Sequence, residues 1–335
     1  MGAIHQFRTE VQIPEYSWRL DHSHQIMMIG SCFSENIGQI LIQNKFPVDL
    51  NPFGILFNPT SIAQSLELLI EKKVFTEEDL FYHAGIWNSF AHHSRFSSVD
   101  KDIALDTINR QVQTSSENLR NASSLIITFG TAWVYEYQKT GQIVSNCHKL
   151  PANEFKRYRL SIPEIMDQWI NVLHRLWEIN PELRILFTVS PIRHWKDGPN
   201  ENQLSKSTLL LAVDHLVKEF GPEKAAYFPS YEIMMDDLRD YRFYADDMLH
   251  PSSLAISYIW DKFCMGFVAE NTMQLMKKIN KIVSGCNHRP MNPGSSEHLG
   301  HVRKLYNEIA LLEKDYPALN FEIEKKKLET DNSDF

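Results

Sequence analysis

The sequence predicts an α/β fold: a three-layer α/β/α sandwich with a mostly parallel sheet. Three observations lead there. Short apolar runs closed by glycine or a polar residue read as buried strands: Ile26–Ile29 before Gly30, Leu125–Phe129 before Gly130, Arg184–Val189 and Ala225–Phe228. Segments with helical periodicity separate them. Strands alternating with helices need crossovers, which put helices on both faces of a parallel sheet.

Each element has its own local cause. Phe33, Ile37, Ile40 and Leu41 recur at helical spacing over 33–45, so the first strand turns abruptly into a helix. Asn58-Pro59 supplies a cap and a first-turn proline for a helix to about Lys72. Residues 101–119 form a third helix. Residues 133–147 alternate around Thr140-Gly141 and read as a hairpin inserted into the strand–helix repeat. Ser161 and Glu164 make a capping box for a helix to about Ile179. A polar loop, Ser190 to Leu204, leads into a helix to about Phe220. Pro251 starts another, to about Phe263. Beyond residue 267 come a Pro/Gly/Ser/Asn-rich linker at 287–297, an amphipathic helix at 298–313 and a charged end, with Lys325–Lys327 read as a solvated tail. The expected organisation is one α/β domain over 1–266 and a helical C-terminal extension over 267–335.

Composition narrows the function. The chain has 335 residues, 43% hydrophobic, which suits a folded core and not a disordered chain. Against 34 Lys and Arg stand 42 Asp and Glu, a net charge of −8, so no broad positive field invites nucleic acid. No run approaches the roughly 18 apolar residues of a membrane span. The start lacks a basic segment followed by an apolar run, and Gln6 breaks the myristoylation pattern after Gly2. The expectation is a cytoplasmic protein. Four scattered cysteines make no disulfide framework there and leave a thiol available as a nucleophile.

Two spots carry chemistry. In Gly30-Ser31-Cys32-Phe33-Ser34 a strand stops at a glycine and a helix begins, so Cys32 sits at a helix N-terminus. Unpaired N–H groups there favour a thiolate and an oxyanion. In Asp247-Met-Leu-His250 a carboxylate and an imidazole come from one short loop; the acid orients the ring and the other ring nitrogen faces a nucleophile. Asp246 competes for the acid role.

With these residues the sequence resembles the SGNH (GDSL-like) hydrolase superfamily, and more closely the GSCFA family within it. The resemblance spans about residues 5 to 265. It runs through Gly30–Ser34 (Ser in place of the final Ala), Asn51-Pro-Phe-Gly54-Ile-Leu-Phe-Asn58-Pro59, Thr128-Phe-Gly130-Thr-Ala-Trp133, Asn146-Cys-His-Lys149, Ser190-Pro-Ile-Arg-His194 and Asp247–His250. It implies a flavodoxin-like sheet and a covalent acyl-enzyme. Cys32 falls on the nucleophile, with Ser31 as the alternative register, His250 on the base and Asp247 on the orienting acid. Gly54 matches the oxyanion-hole glycine. The oxyanion-hole asparagine is replaced by Ala132, leaving Thr131, Asn146 or His148 to fill the gap. The implied substrate is an O-acyl or O-acetyl ester of a small or carbohydrate-like molecule. Hydrolase and acyltransferase outcomes share that thioester, and the missing asparagine leaves a non-catalytic binding protein as the third reading.

The remaining polar positions read more plainly. Arg193, His194 and Lys206 follow a strand end and suit an anionic or hydroxyl-rich substrate, or merely a polar loop. His92-His93 and Cys147-His148 lack the spacing of a metal motif, so no metal or other cofactor is expected. Trp87 and Trp133 fit either a sugar site or the core.

Overall fold

A computed structural model describes residues 9–288, 292 and 294–333. The linker residues 289–291 and 293 and the chain start therefore lie outside the described residues.

The elements run β1 (Ile26–Gly30), α1 (Cys32–Gln43), β2 (Val48–Leu50), α2 (Pro59–Ile70), β3 (Phe81–His83), β4 (Ile86–Asn88), α3 (Lys101–Asn121), β5 (Ser124–Phe129), β6 (Trp133–Tyr137), β7 (Gln142–Val144), β8 (Phe155–Arg159), α4 (Ile162–Ile179), β9 (Arg184–Val189), α5 (Gly198–Phe220), β10 (Ala225–Phe228), α6 (Ser230–Glu232), α7 (Ser253–Phe267), α8 (Glu270–Asn287), α9 (Ser296–Asp315) and α10 (Glu322–Ser333). Five strands pair in the order β10-β9-β5-β1-β2, every pair parallel. This is the flavodoxin-like order, which reverses between β1 and β5.

The strands are apolar throughout because each faces a packed layer on either side. Met27, Ile29, Leu125, Ile127, Ile185 and Phe187 point to one core, closed by α2, α3, α4 and α5. The alternate residues Ile26, Met28, Ile126, Leu186 and Phe228 point to the other, closed by α1, α7 and the segment around Trp18 and Leu20. Burying one such side chain contributes about 1.5–3 kcal/mol. A third cluster, including Ile279, Ile309 and Phe321, joins α8, α9 and α10 to one another. Met273 and Met276 of α8 also reach the second core. A buried Lys45–Glu324 pair at 2.6 Å ties α10 to the end of α1. No helix among the described residues is long and apolar enough to cross a membrane.

Several sequence expectations are corrected. Helix α5 starts at Gly198, not after Leu204, because Pro199 in its first turn needs no N–H partner. Helix α7 starts at Ser253, since the Ser252 hydroxyl, not Pro251, caps it. The 133–147 hairpin gains a third antiparallel strand, β8. Lys325–Lys327 lies within α10; Lys325 pairs with Glu313 at 2.8 Å and Glu322 at 3.3 Å, and Lys327 donates to Asn287.

Candidate active site at the sheet switch point

The loops after β1 and β5 meet where the strand order reverses, the position at which open parallel sheets bind ligands. Gly30 makes the turn out of β1. Its φ is +150°, and a Cβ there would lie 2.4 Å from the Thr128 carbonyl oxygen, so no side chain fits. Ser31 then caps α1, its hydroxyl accepting from the Phe33 N–H at 3.3 Å. Cys32 is the first residue of α1 and half-buried.

The segment after β2 braces this turn. Asn51 Oδ1 accepts from the Gly30 N–H at 2.9 Å, and its Nδ2 donates to Glu35 at 2.7 Å. Arg95 donates to the Asn51 carbonyl. The Leu56 N–H donates to the Gly30 carbonyl at 2.9 Å. The Phe57 carbonyl accepts from both Gly130 (2.7 Å) and Thr131 (2.9 Å), which binds the β5 loop to the same frame. From α5, Lys206 donates to the carbonyls of Gly130 and Ser190, each at 2.7 Å, and joins the ends of β5 and β9. Its burial pulls the amine down to about 7, helped by the charge of Arg193.

Asp247 and His250 are held together on the loop before α7. Oδ1 of Asp247 accepts from the His250 N–H at 2.9 Å, and Oδ2 lies 2.5 Å from His250 Nδ1. These bonds, with one from the Leu249 N–H, bring the Asp247 carboxyl down to about 2. The carboxylate is therefore ionised near neutral pH. Nε2 of His250 makes no hydrogen bond among the described residues. No hydrogen bond joins it to Cys32 either. Catalytic hydrogen bonds are often long in ligand-free enzymes and tighten when substrate binds.

The thiol departs from the expectation drawn from its helix end. Burial pushes the Cys32 thiol above its ordinary value, the bond from its own N–H opposes this, and the Glu35 carboxylate pushes it further up. Desolvation therefore outweighs the helix terminus. A thiol in this state needs a general base to act as a nucleophile.

Two of the candidate oxyanion donors, Gly54 and Thr131, are engaged elsewhere. The Gly54 N–H donates to the Asn51 carbonyl at 2.7 Å. The Thr131 N–H is taken by Phe57, and its hydroxyl sits 3.1 Å from Ser205 Oγ. Asn146 differs: its Oδ1 accepts from the His148 N–H at 2.9 Å, which fixes the side chain while leaving the Nδ2 donor uncommitted among the described residues. His148 bonds the Ser89 carbonyl at 2.8 Å and packs edge-on to Phe81; among the described residues no hydrogen bond or ring contact joins it to Cys32, His194 or His250. His194 is different. Its Nε2 is shut off from water with no partner. A methyl built on Gly130 would meet Phe57 O at 3.0 Å, Ser31 Cβ at 3.3 Å and His194 Nε2 at 3.4 Å, so Ser31 and His194 flank one point at the end of β5. Burial brings the His194 imidazole down to about 4, aided by the charges of Lys206, His250 and Arg157, so it is neutral near pH 7.

Other residues singled out in the sequence make local packing and capping contacts. His92 is buried in a cage of Phe53, Phe75 and Phe96, and burial lowers it to about 3. His93 caps the short turn at Ser94–Phe96. No group of three or more His, Cys, Asp or Glu among the described residues is arranged to hold a metal. Trp133 lies under the Arg157 guanidinium, and Trp87 packs on Tyr82. Sequence reasoning missed the cleft beside the Asp247 loop, about 470 Å³, whose aromatic walls are Trp195, Tyr241 and Tyr244. Only their position after β9 and before Asp247 could have signalled them.

The GSCFA family model matches residues 25–263, and the model for the C-terminal domain of GSCFA domain proteins matches 279–333. No curated protein matches the chain. Among solved structures, an acetyl xylan esterase from the rumen bacterium Butyrivibrio proteoclasticus is similar, at 13% identity and a TM-score of 0.32. The match covers 76% of this chain, which spans 64% of that structure's chain.

Proposed function

The chain belongs to the GSCFA family, and on that premise we propose that it hydrolyses an O-acyl ester of a small or carbohydrate-like molecule through a thioester on Cys32. The observation that carries this reading is the Asp247–His250 pair, held by two hydrogen bonds with Nε2 left free. It is the arrangement a general base needs when the nucleophile's own thiol is not ionised.

The thiol gives its proton to His250 Nε2 as Sγ adds to the ester carbonyl. The carbonyl oxygen becomes an oxyanion. Its donors in this reading are the N–H of Cys32 at the start of α1 and the Nε2–H of His194. The leaving alkoxide takes the proton from His250, and a thioester remains. Water then adds, His250 takes its proton, and Sγ departs with that proton as the acid is released. Asp247 stays ionised and stabilises the imidazolium in each half. An acceptor hydroxyl or amine in place of water makes the same thioester an acyl-transfer intermediate.

The test is turnover of short-chain acyl esters by the wild-type protein and by Cys32→Ala, Ser31→Ala and His250→Ala. The reading expects turnover lost with Cys32 and His250 and retained in Ser31→Ala. Equal turnover in all three variants contradicts it. The absent Cys32–His250 hydrogen bond favours one second reading, a binding protein on the same scaffold; no turnover of any ester by the wild type, together with ligand binding at the site, is what that reading expects.

A further inference from the structure

The cleft beside the Asp247–His250 loop holds one cation without a partner among the described residues. Four charged residues line it: Arg193, Arg239, Asp240 and Asp247. Three of them are engaged. Arg239 pairs with Asp236. Asp240 accepts from the Arg242 N–H at 2.9 Å. Asp247 is committed to His250. Arg193 has no ion pair and no hydrogen bond among the described residues, and its Nε is closed off from water without an acceptor. Its guanidinium lies 4.7 Å over the Trp195 ring, which fixes the plane of the fork. Its charge is felt by Tyr231, Tyr244 and the Lys206 amine, and none of these neutralises it. An Nε shut off from water without an acceptor costs free energy that a ligand oxygen reaching it would recover. The planar fork matches an oxyanion with two acceptor oxygens.

We propose that the ester taken by this site carries a fixed negative charge, a carboxylate or phosphate on the alcohol side, which Arg193 binds in the cleft lined by Trp195, Tyr241 and Tyr244. This rests on the acyl-enzyme reading above, and it adds the substrate's chemical class. The aromatic walls supply flat apolar contact for the body of the leaving group, while Arg193 fixes its charged end. Asp247 lies on the cleft wall, so a leaving group seated there is next to the loop that carries His250.

The experiment compares three aryl acetates of similar size: 4-acetoxybenzoate, 4-acetoxyphenyl phosphate and the neutral 4-acetoxybenzamide. The expected result is a kcat/KM at least tenfold higher for one or both anionic esters, expressed in KM, with the better anion identifying carboxylate or phosphate. That ratio should shrink with added salt, because the cleft is open to solvent. In Arg193→Gln the ratio should fall towards one, and in Arg193→Lys it should be partly restored. Equal kcat/KM for charged and neutral esters, or a preference that survives Arg193→Gln, overturns the proposal. A binding measurement separates it from the catalytic reading. Titration of the wild-type protein with 4-hydroxybenzoate and 4-hydroxyphenyl phosphate, followed by calorimetry, needs no turnover. Salt-sensitive binding weakened at least tenfold in Arg193→Gln supports the anion site even if no ester is cleaved, and no binding of either anion overturns it.

Discussion

One carboxylate grips His250 at two points: Asp247 Oδ1 takes the backbone N–H at 2.9 Å while Oδ2 lies 2.5 Å from ring Nδ1. The first bond fixes the loop and the second fixes the ring. An ionised carboxylate can only accept, so Nδ1 is the nitrogen that donates to Asp247 and Nε2 is left open to accept a proton. The pairing is local, three residues apart on an exposed loop, so it survives independently of how the substrate is held.

Asp247→Asn keeps the shape of the loop but supplies an amide where Nδ1–H needs an acceptor. The expected loss in kcat is about 10³–10⁴-fold with little change in KM. The acid limb of the pH–rate profile should not come from Asp247. Its carboxyl lies down at about 2, so it remains ionised through the whole range in which an imidazole takes up a proton. A profile recorded from pH 3 to 9 checks this; an ionisation lost with Asp247→Asn but kept in His250→Ala contradicts it.

The Cys32 thiol should titrate above an ordinary cysteine. Burial and Glu35 disfavour the thiolate, so the rate of alkylation by iodoacetamide should keep rising past pH 9. Glu35→Gln removes a negative charge and should move the midpoint down. A midpoint below that of free cysteine in the wild type would show that the helix end dominates after all.

His194→Ala should lower kcat by about 10²–10³-fold, the usual cost of one oxyanion donor. His194→Gln, which keeps an N–H donor, should recover part of it. A loss that appears only in KM would assign His194 to ground-state binding instead.

Lys206 links the ends of β5 and β9, and Lys206→Met leaves two carbonyls without a donor. The expected cost is about 2–4 kcal/mol by urea unfolding. The pH dependence has a definite sign. The amine sits at about 7 in the folded chain and near 10.4 when unfolded. Between those values the unfolded state binds more protons, so this group makes the fold more stable as pH rises from about 7 to about 10. The slope should be shallower in Lys206→Met; an unchanged slope contradicts the assignment.

Much of the frame was legible because it is set locally. The run Ile26–Gly30, the Asn58-Pro59 start and the Ser161/Glu164 box each carry their cause within a few residues, and each forms the element expected. The three-residue strand β2 was not, because it is short and takes its partner, β1, from elsewhere in the chain. The C-terminal extension is helical as expected, but the bounds of α8 and α10 within it were not legible, because their apolar faces make sense only against each other and α9. In the site, Cys32, Asp247 and His250 stood out by motif. The state of the donors did not. Gly54 and Thr131 carry suitable groups, but Asn51, Phe57 and Ser205 occupy them. The unpartnered groups, His194 Nε2 and the Arg193 fork, become visible only when every neighbour is in place.

The central claim is that Cys32 becomes acylated with His250 as its base. Its most direct test is peptide-mapping mass spectrometry after reaction with a β-lactone acyl probe. The account predicts a single adduct on Cys32 that is absent in Cys32→Ala and reduced at least a hundredfold in rate in His250→Ala. An adduct on Ser31, or one on Cys32 formed equally fast without His250, would contradict it.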